Sequence, residues 1–156
     1  MSYDPKSARY PSFSAARARF AEGADNPRDF LERCLACIDA REGEVKAFVA
    51  LDIEAARAAA DASRARWKAG RALGGIDGAP FAVKDCYDVA GFATRVNSGL
   101  FADAAPARAD AAHVDALRRG GGVFLGKTVT TELTMAEPGP TWNPWDLRRT
   151  PGGSSS

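Results

Sequence analysis

The sequence predicts an α/β fold, because short apolar runs alternate with longer segments of helical periodicity. Two of these runs, Pro80–Lys84 and 123–126, have the β-branched and aromatic content of buried strands. The longest helical segments are expected at 27–40 and 53–68, with a third after Asp110. We therefore expect one domain in which helices pack on a sheet.

The composition excludes several classes of function before any motif is considered. The 156 residues can build one domain core, and 21 basic against 20 acidic side chains give a net charge of +1. This balance favours neither nucleic-acid binding nor a polybasic membrane contact, and no apolar run approaches the roughly 20 residues that span a bilayer. Three cysteines cannot form a closed disulfide framework, so we expect a reducing compartment, the cytoplasm.

The first quarter of the chain is expected to be an extension followed by a helix. Residues 1–25 show little periodicity and are predicted to be an N-terminal extension, largely coil. Asn26 can cap a helix that has Pro27 at its first position. The helix predicted over 27–40 has apolar residues at helical spacing, namely Phe30, Leu31, Cys34, Leu35 and Ile38.

The next elements are a short strand and a second helix. Residues 46–51 form a strand-like apolar run. Asp52 can cap a helix from Ile53 to about Lys68, and Gly70 is expected to stop it.

The last third is predicted to contain two strands, a helix and a long loop. Strands are expected at Pro80–Lys84 and 123–126, and between them Asp110 is expected to cap a helix that ends at 120–122. Residues 131–133 are expected to begin a short helix. Residues 138–151 hold four prolines and are therefore predicted to be a loop.

Two motifs suggest sites that their context argues against. Residues 121–128 fit the phosphate-loop pattern G-x-x-x-x-G-K-[ST], but a predicted helix precedes them and a predicted strand lies between the glycines. Cys34 and Cys37, with Cys86 and His113, would complete a Cys3His zinc set, but the first two belong to an amphipathic helix. We therefore expect neither a nucleotide site nor a metal site.

The single histidine, His113, is predicted to pack on a helix or to lie at the surface. This position argues against Ser-His-Asp and Cys-His catalysis. Lysine can serve as the base instead, but its ordinary pKa of about 10.4 requires desolvation. Lys84 follows an apolar strand, as does Lys127, although this position alone is more typical of a surface lysine with a buried stem.

Several separated motifs in one order carry more information than any single motif. They are G-x-P-x-A-V-K-D at 78–85, D-x-x-G at 88–91, G-K-T-x-x-x-E at 126–132, P-G-P-T-x-N-P at 138–144 and R-T-P-G-G-S-S at 149–155. Together they closely resemble the amidase signature family, over about residues 27–156.

The resemblance implies a mixed β-sheet surrounded by helices and the hydrolysis or transfer of amide nitrogen. It implies a Ser–cisSer–Lys triad that uses no metal and no cofactor. On this pattern Lys84 is the base and Ser154 is the bridging serine after a cis peptide bond. Gly153 keeps the steric penalty of that bond low, and Ser155 matches a neighbour that hydrogen-bonds around the lysine.

The resemblance also implies that the nucleophile belongs to a second Gly-Gly-Ser motif, which is not in this chain. Residues 26–156 are then the N-terminal part of an amidase domain, expected to be inactive alone and to leave apolar surface uncovered. Two alternatives stay open: a non-catalytic remnant or interaction fragment, and the amidase subunit of a tRNA-dependent amidotransferase. We expect a small-molecule amide substrate, with no membrane or direct nucleic-acid contact, and either a homo-oligomer or partner subunits.

Overall fold

The computed structural model describes residues 10–156, which form four helices, three strands and two 3₁₀ turns. In chain order they are α1 (Phe13–Ala21), α2 (Pro27–Val45), β1 (Phe48–Leu51), α3 (Ile53–Lys68), β2 (Pro80–Lys84), α4 (Ala112–Arg119) and β3 (Val123–Thr128), with 3₁₀ turns at Gly99–Phe101 and Glu132–Thr134. Within this part of the chain, no helix is long and apolar enough to cross a membrane. The alternation of helices and strands confirms the predicted α/β class.

The three strands form a mixed sheet with β3 in the centre. β3 pairs antiparallel with β1 and parallel with β2, in the order β1-β3-β2. Lys84, the last residue of β2, lies opposite Thr128, the last residue of β3. Because these strands are parallel, their carboxyl ends meet at one edge of the sheet, which is where open α/β sheets commonly hold their sites.

One glycine allows the central strand to approach β1 closely. A Cβ atom at Gly126 would lie 2.1 Å from the carbonyl oxygen of Ala50, which no side chain could tolerate. The residue opposite Gly126 in β1 is Leu51. Gly126 therefore belongs to the packing of the sheet, within a segment whose spacing also matches a phosphate loop.

Each face of the sheet is covered by its own apolar cluster. On one face, Val123 and Leu125 pack against α2 and α3, in a cluster completed by Leu31, Leu35, Ala56 and Ala60. Phe124 points the other way and packs with Val83, Val89 and Val114, the last of which belongs to α4. The sheet thus lies between helices, which fixes the ends of β2 and β3 from both sides.

The prediction that residues 1–25 are largely coil is wrong for α1. Ser12 caps this helix, and its hydroxyl accepts a hydrogen bond from the amide of Ala15. Phe20 packs edge-on against Phe30 of α2 and Trp67 of α3, with ring centroids 6.1 and 5.8 Å apart. Contacts with distant aromatic rings favour this helix, which its own weak periodicity does not predict. Residues 1–9 lie outside the described residues.

The predicted starts of α2 and α3 are confirmed, because in each a local side chain caps the first turn. Asn26 caps α2 and Asp52 caps α3, each through a side-chain oxygen that accepts an amide hydrogen three residues on. Asp110, in contrast, does not cap α4, which begins at Ala112 without a side-chain cap. Its carboxylate instead accepts a hydrogen bond from the amide of Ala90 and pairs with Arg118.

A buried carboxylate holds the connection between α3 and β2. Asp77 is fully buried, and its oxygens accept hydrogen bonds from Arg66, Ser63 and the amide of Leu73. Burial raises the pKa of Asp77, but these hydrogen bonds outweigh it and hold the pKa below its usual range. The loop before β2 is therefore fixed to α3 by a charged group.

Candidate active site

Lys84 lies where β2 ends, with its backbone held by the central strand. The amide of the next residue, Asp85, donates a hydrogen bond of 2.9 Å to the carbonyl of Thr128, which continues the ladder beyond the last paired residues. The side chain of Lys84 is half-buried. Its backbone is thus fixed by β3, while its amine reaches out of the sheet edge.

Ser154 approaches the same edge from the far end of the chain. Its carbonyl oxygen accepts two hydrogen bonds from the segment that follows β3, one from the amide of Thr131 at 3.0 Å and one from the hydroxyl of Thr130 at 2.8 Å. Thr130 also forms an isolated antiparallel bridge with Ser155. The extension of the central strand therefore holds Ser154 beside the end of β2.

The structure brings Lys84 and Ser154 into direct contact. The lysine Nζ lies 2.6 Å from the serine Oγ, although 70 residues separate the two positions. The peptide bond between Gly153 and Ser154 is cis. No carboxylate pairs with Lys84 among residues 10–156, so the serine hydroxyl is its hydrogen-bond partner in that range. The pair can pass a proton between an amine and a hydroxyl.

Gly153 lies where a side chain would not fit. A Cβ atom there would lie 2.6 Å from the methyl carbon of Thr131, the residue whose amide holds Ser154. The small residue before Ser154 thus allows the close approach of the two segments.

Comparison with known proteins decides the family. The family model described as Amidase matches residues 29–156. The chain belongs to the amidase family. It is 41% identical to AtzE, a 1-carboxybiuret hydrolase subunit of Pseudomonas sp. (strain ADP), over 86% of this chain and 31% of that protein. It is 38% identical to a glutamyl-tRNA(Gln) amidotransferase subunit of Anaeromyxobacter sp. (strain K), over 90% of this chain and 30% of that protein.

Solved structures agree with this assignment. The native peptide amidase of Stenotrophomonas maltophilia superposes with a TM-score of 0.82 at 27% identity, over 94% of this chain and 33% of that chain. A vestigial complex described as revealing the origins of an s-triazine catabolic enzyme gives a TM-score of 0.82 at 38% identity, over 88% and 32% of the two chains. The mixed α/β fold is thus that of the amidases, and the chain spans about a third of the length of its relatives.

The resemblance places Ser155 among the groups that hydrogen-bond around the lysine, and this role stays a prediction. The residue is exposed, and within the described range its hydroxyl makes no hydrogen bond to Lys84. Its backbone bridge to Thr130 is its contribution to the site in this structure.

A second lysine lies at the sheet edge beside the candidate site. Lys127 precedes Thr128 on β3 and is almost completely buried, with 1% of its side chain exposed. Its Nζ lies 2.6 Å from the Asp85 carboxylate and donates hydrogen bonds to the carbonyl of Ala93 and the hydroxyl of Thr94. This ion pair ties the residue after Lys84 to β3 and to the 93–95 loop.

Sequence reasoning missed the ion pair, although a signal for it was present. Asp85 directly follows β2, and Lys127 lies near the end of β3. Opposite charges at the ends of two neighbouring parallel strands can meet, but only when the pairing of those strands is known. By position alone the sequence describes Lys127 and Lys84 alike, as lysines that follow an apolar strand, and the structure separates them by their partners.

The residues of the two discounted motifs lie mostly in helices and strands of this amidase-family chain. Residues 123–126, between the two glycines of the phosphate-loop pattern, belong to strand β3. Cys34 and Cys37 lie on α2, and His113 packs edge-on against Tyr87 at 4.5 Å between ring centroids. Across residues 10–156, no group of three or more His, Cys, Asp or Glu side chains is arranged to hold a metal ion.

Proposed function

We propose that the protein containing this chain cleaves amide C–N bonds through a Ser–cisSer–Lys proton relay. The observation that supports this most is the 2.6 Å contact between Lys84 Nζ and Ser154 Oγ at the carboxyl end of β2. A lysine that faces a hydroxyl rather than a carboxylate can exchange a proton without breaking an ion pair. Lys84 is the proposed base, Ser154 is the proposed bridge, and Gly153 and Ser155 are the proposed supporting residues.

The proposed mechanism transfers one proton along two serines. Neutral Lys84 takes the proton of Ser154, and Ser154 takes the proton of a nucleophilic serine. That serine attacks the amide carbonyl to give an acyl-enzyme, and the proton returns through the relay to the departing amine. Water then attacks the acyl-enzyme and releases the acid. The nucleophile is proposed, from the family resemblance, to lie beyond these residues.

We propose the same division of the chain that its motifs suggest. Residues 26–156 are the N-terminal part of the amidase domain, and residues 1–25 are an extension. The family match beginning at residue 29 supports this division. The helix α1 within the extension packs on the domain through Phe20 and Phe30.

The relay is tested with the full-length gene product on a panel of amides. We expect Lys84→Ala and Ser154→Ala each to lower the rate of amine or ammonia release by at least 10²-fold, the size of a lost general acid–base function. Lys68→Ala, which removes a lysine at the exposed end of α3, is the matched control and should keep the parent rate. Activity within twofold of the parent in either relay variant would overturn the assignment.

A second candidate activity is transfer of amide nitrogen within a multi-subunit enzyme. The 38% identity to a glutamyl-tRNA(Gln) amidotransferase subunit supports it, and both named relatives are described as subunits. The fate of the amide nitrogen separates the two activities, because a hydrolase releases it into solution and a transferase passes it to an acceptor. Partner subunits would then co-purify with the full-length protein. The three free thiols fit the proposed cytoplasmic location.

A further inference from the structure

The end of β3 and the residues directly after it hold both Lys84 and Ser154, the two residues of the proposed relay. Thr128 ends β3, and its carbonyl accepts the amide of Asp85, which fixes the backbone that carries Lys84. Thr130 lies two residues further, and its hydroxyl donates to the carbonyl of Ser154 at 2.8 Å. The distance between the amine and the hydroxyl of the relay therefore depends on one short stretch of backbone.

The hydroxyl of Thr130 is a buried group with a defined partner. The residue is completely buried. The Ser154 carbonyl accepts a second hydrogen bond from the amide of Thr131, so two donors orient the peptide unit of Ser154 from one side. A peptide unit held by two donors has less freedom to rotate than one held by a single donor, and its rotation would move the serine Oγ.

The segment that carries Thr130 is itself held on its other sides. The amide of Val129 donates to the carbonyl of Ala47, the residue before β1, at 2.9 Å. A Cβ atom at Gly139 would lie 2.5 Å from a methyl of Val129, so the 138–140 loop closes over this segment without room for a side chain. Thr130 is thus a rigid support, not a mobile surface residue.

We propose that Thr130 is a positioning residue that sets the geometry of the Lys84–Ser154 contact through the Ser154 carbonyl. This inference rests on the proposed relay. Without the threonine hydroxyl, one amide remains to hold the carbonyl, and the serine Oγ is free to leave the 2.6 Å contact with the lysine. Proton transfer depends steeply on such distances, whereas substrate binding does not involve this buried group.

Another threonine provides a matched control. Thr141 is buried, with 4% exposed, and its hydroxyl donates to the carbonyl of Lys46 at 2.9 Å. Its bond is therefore of the same kind as that of Thr130, but it joins a loop to the residue after α2 instead of to the relay. Thr130→Val and Thr141→Val remove the same group from the same type of partner.

The experiment measures kcat and KM of the full-length gene product with one amide that it hydrolyses. We expect Thr130→Val to lower kcat about tenfold with KM unchanged, Thr130→Ser to restore kcat to within about threefold, and Thr141→Val to leave both unchanged although its melting temperature falls similarly. Thr130→Ala carries the same test if the valine variant does not fold.

Two results would overturn the positioning role. The first is a Thr130→Val enzyme whose kcat stays within twofold of the parent, as in the Thr141→Val control. The second is a Thr130→Ser enzyme as slow as Thr130→Val, which would show that the hydroxyl is not the group that matters. Lys84→Ala and Ser154→Ala, measured beside them, separate this failure from failure of the relay, because only the latter leaves those two variants active.

Discussion

Two lysines at the ends of neighbouring parallel strands differ in what surrounds them. Lys127 of β3 is buried and meets the carboxylate of Asp85 at 2.6 Å, with two further oxygens around its amine. Lys84 of β2 is half-buried and meets the hydroxyl of Ser154, also at 2.6 Å. A carboxylate neighbour stabilises the ammonium form, whereas a hydroxyl neighbour can either accept or donate a proton.

Burial alone does not distinguish the proposed base from a structural cation. The more buried lysine has the partners of a structural cation, and the more accessible one has the partner of a proton carrier. Asp85, directly after Lys84, pairs with the lysine of the neighbouring strand and not with Lys84. The Asp85 carboxylate, next to the proposed base, is thus paired with Lys127 and not with Lys84.

The largest expected effect on stability comes from breaking the buried ion pair. Lys127→Met leaves the Asp85 carboxylate buried without its cation, and removal of one partner of a buried pair typically costs about 3–5 kcal/mol. Urea unfolding of the full-length gene product measures the loss. The double variant Asp85→Asn/Lys127→Met should lose less than the sum of the two single variants. A loss below about 1 kcal/mol for Lys127→Met would break the comparison.

A buried charge away from the sheet edge sharpens the comparison. Asp77→Asn removes the anion that Arg66 and the amide of Leu73 hold, and we expect a loss of about 2–3 kcal/mol in the free energy of unfolding at pH 7. The folded variant should retain the parent kcat, because Asp77 fixes a loop outside the relay. A selective loss of kcat would connect this loop with the chemistry.

The pH dependence of that loss follows from the direction of the Asp77 pKa. The pKa is lowered in the folded protein, so the stabilisation is complete above the unfolded value of about 3.9 and is lost as the pH falls through the lower, folded value. The difference in stability between parent and Asp77→Asn should be constant from pH 7 to about pH 5 and should shrink below about pH 4. A difference that grows on acidification would contradict this sign.

The smallest expected effect on stability belongs to the residue with the largest expected effect on activity. Lys84→Met removes one contact with a hydroxyl from a half-buried side chain, so its free energy of unfolding should change by less than about 1 kcal/mol. The same variant should lose amide hydrolysis. If Lys84→Met is as unstable as Lys127→Met, both lysines are structural cations and the distinction between them fails.

The sequence predicts those elements whose signals are local. The bounds of α3 follow from the Asp52 cap and the glycine at position 70, and β2 follows from its apolar run. Helix α2 continues from the predicted end at residue 40 to Val45, since Gly43 does not interrupt it. Helix α1 and the start of α4 are not predicted because contacts with distant residues decide them. Helix α1 packs on an aromatic ring of α2. Asp110, the expected cap of α4, instead pairs with Arg118 and accepts a hydrogen bond from the amide of Ala90.

The site residues likewise divide into those that the sequence predicts and those that only the folded structure brings together. The motifs select Lys84, Gly153 and Ser154 through their resemblance to a family, and the contact between the lysine and Ser154 is present in the structure. The Asp85–Lys127 pair and the support from Thr130 join positions 42 and 24 residues apart in the chain, which single-sequence patterns do not connect. These contacts emerge once the pairing of β2 with β3 is known.

The most direct test of the account is a double-mutant cycle on the relay in the full-length gene product. If Lys84 and Ser154 act as one unit, removal of either disables the relay, and the second removal has little left to disable. We predict that Lys84→Ala/Ser154→Ala hydrolyses an amide at a rate within about threefold of the slower single variant. A double variant whose loss is the product of the two single losses would mean that the residues act independently, and it would contradict the proposed relay.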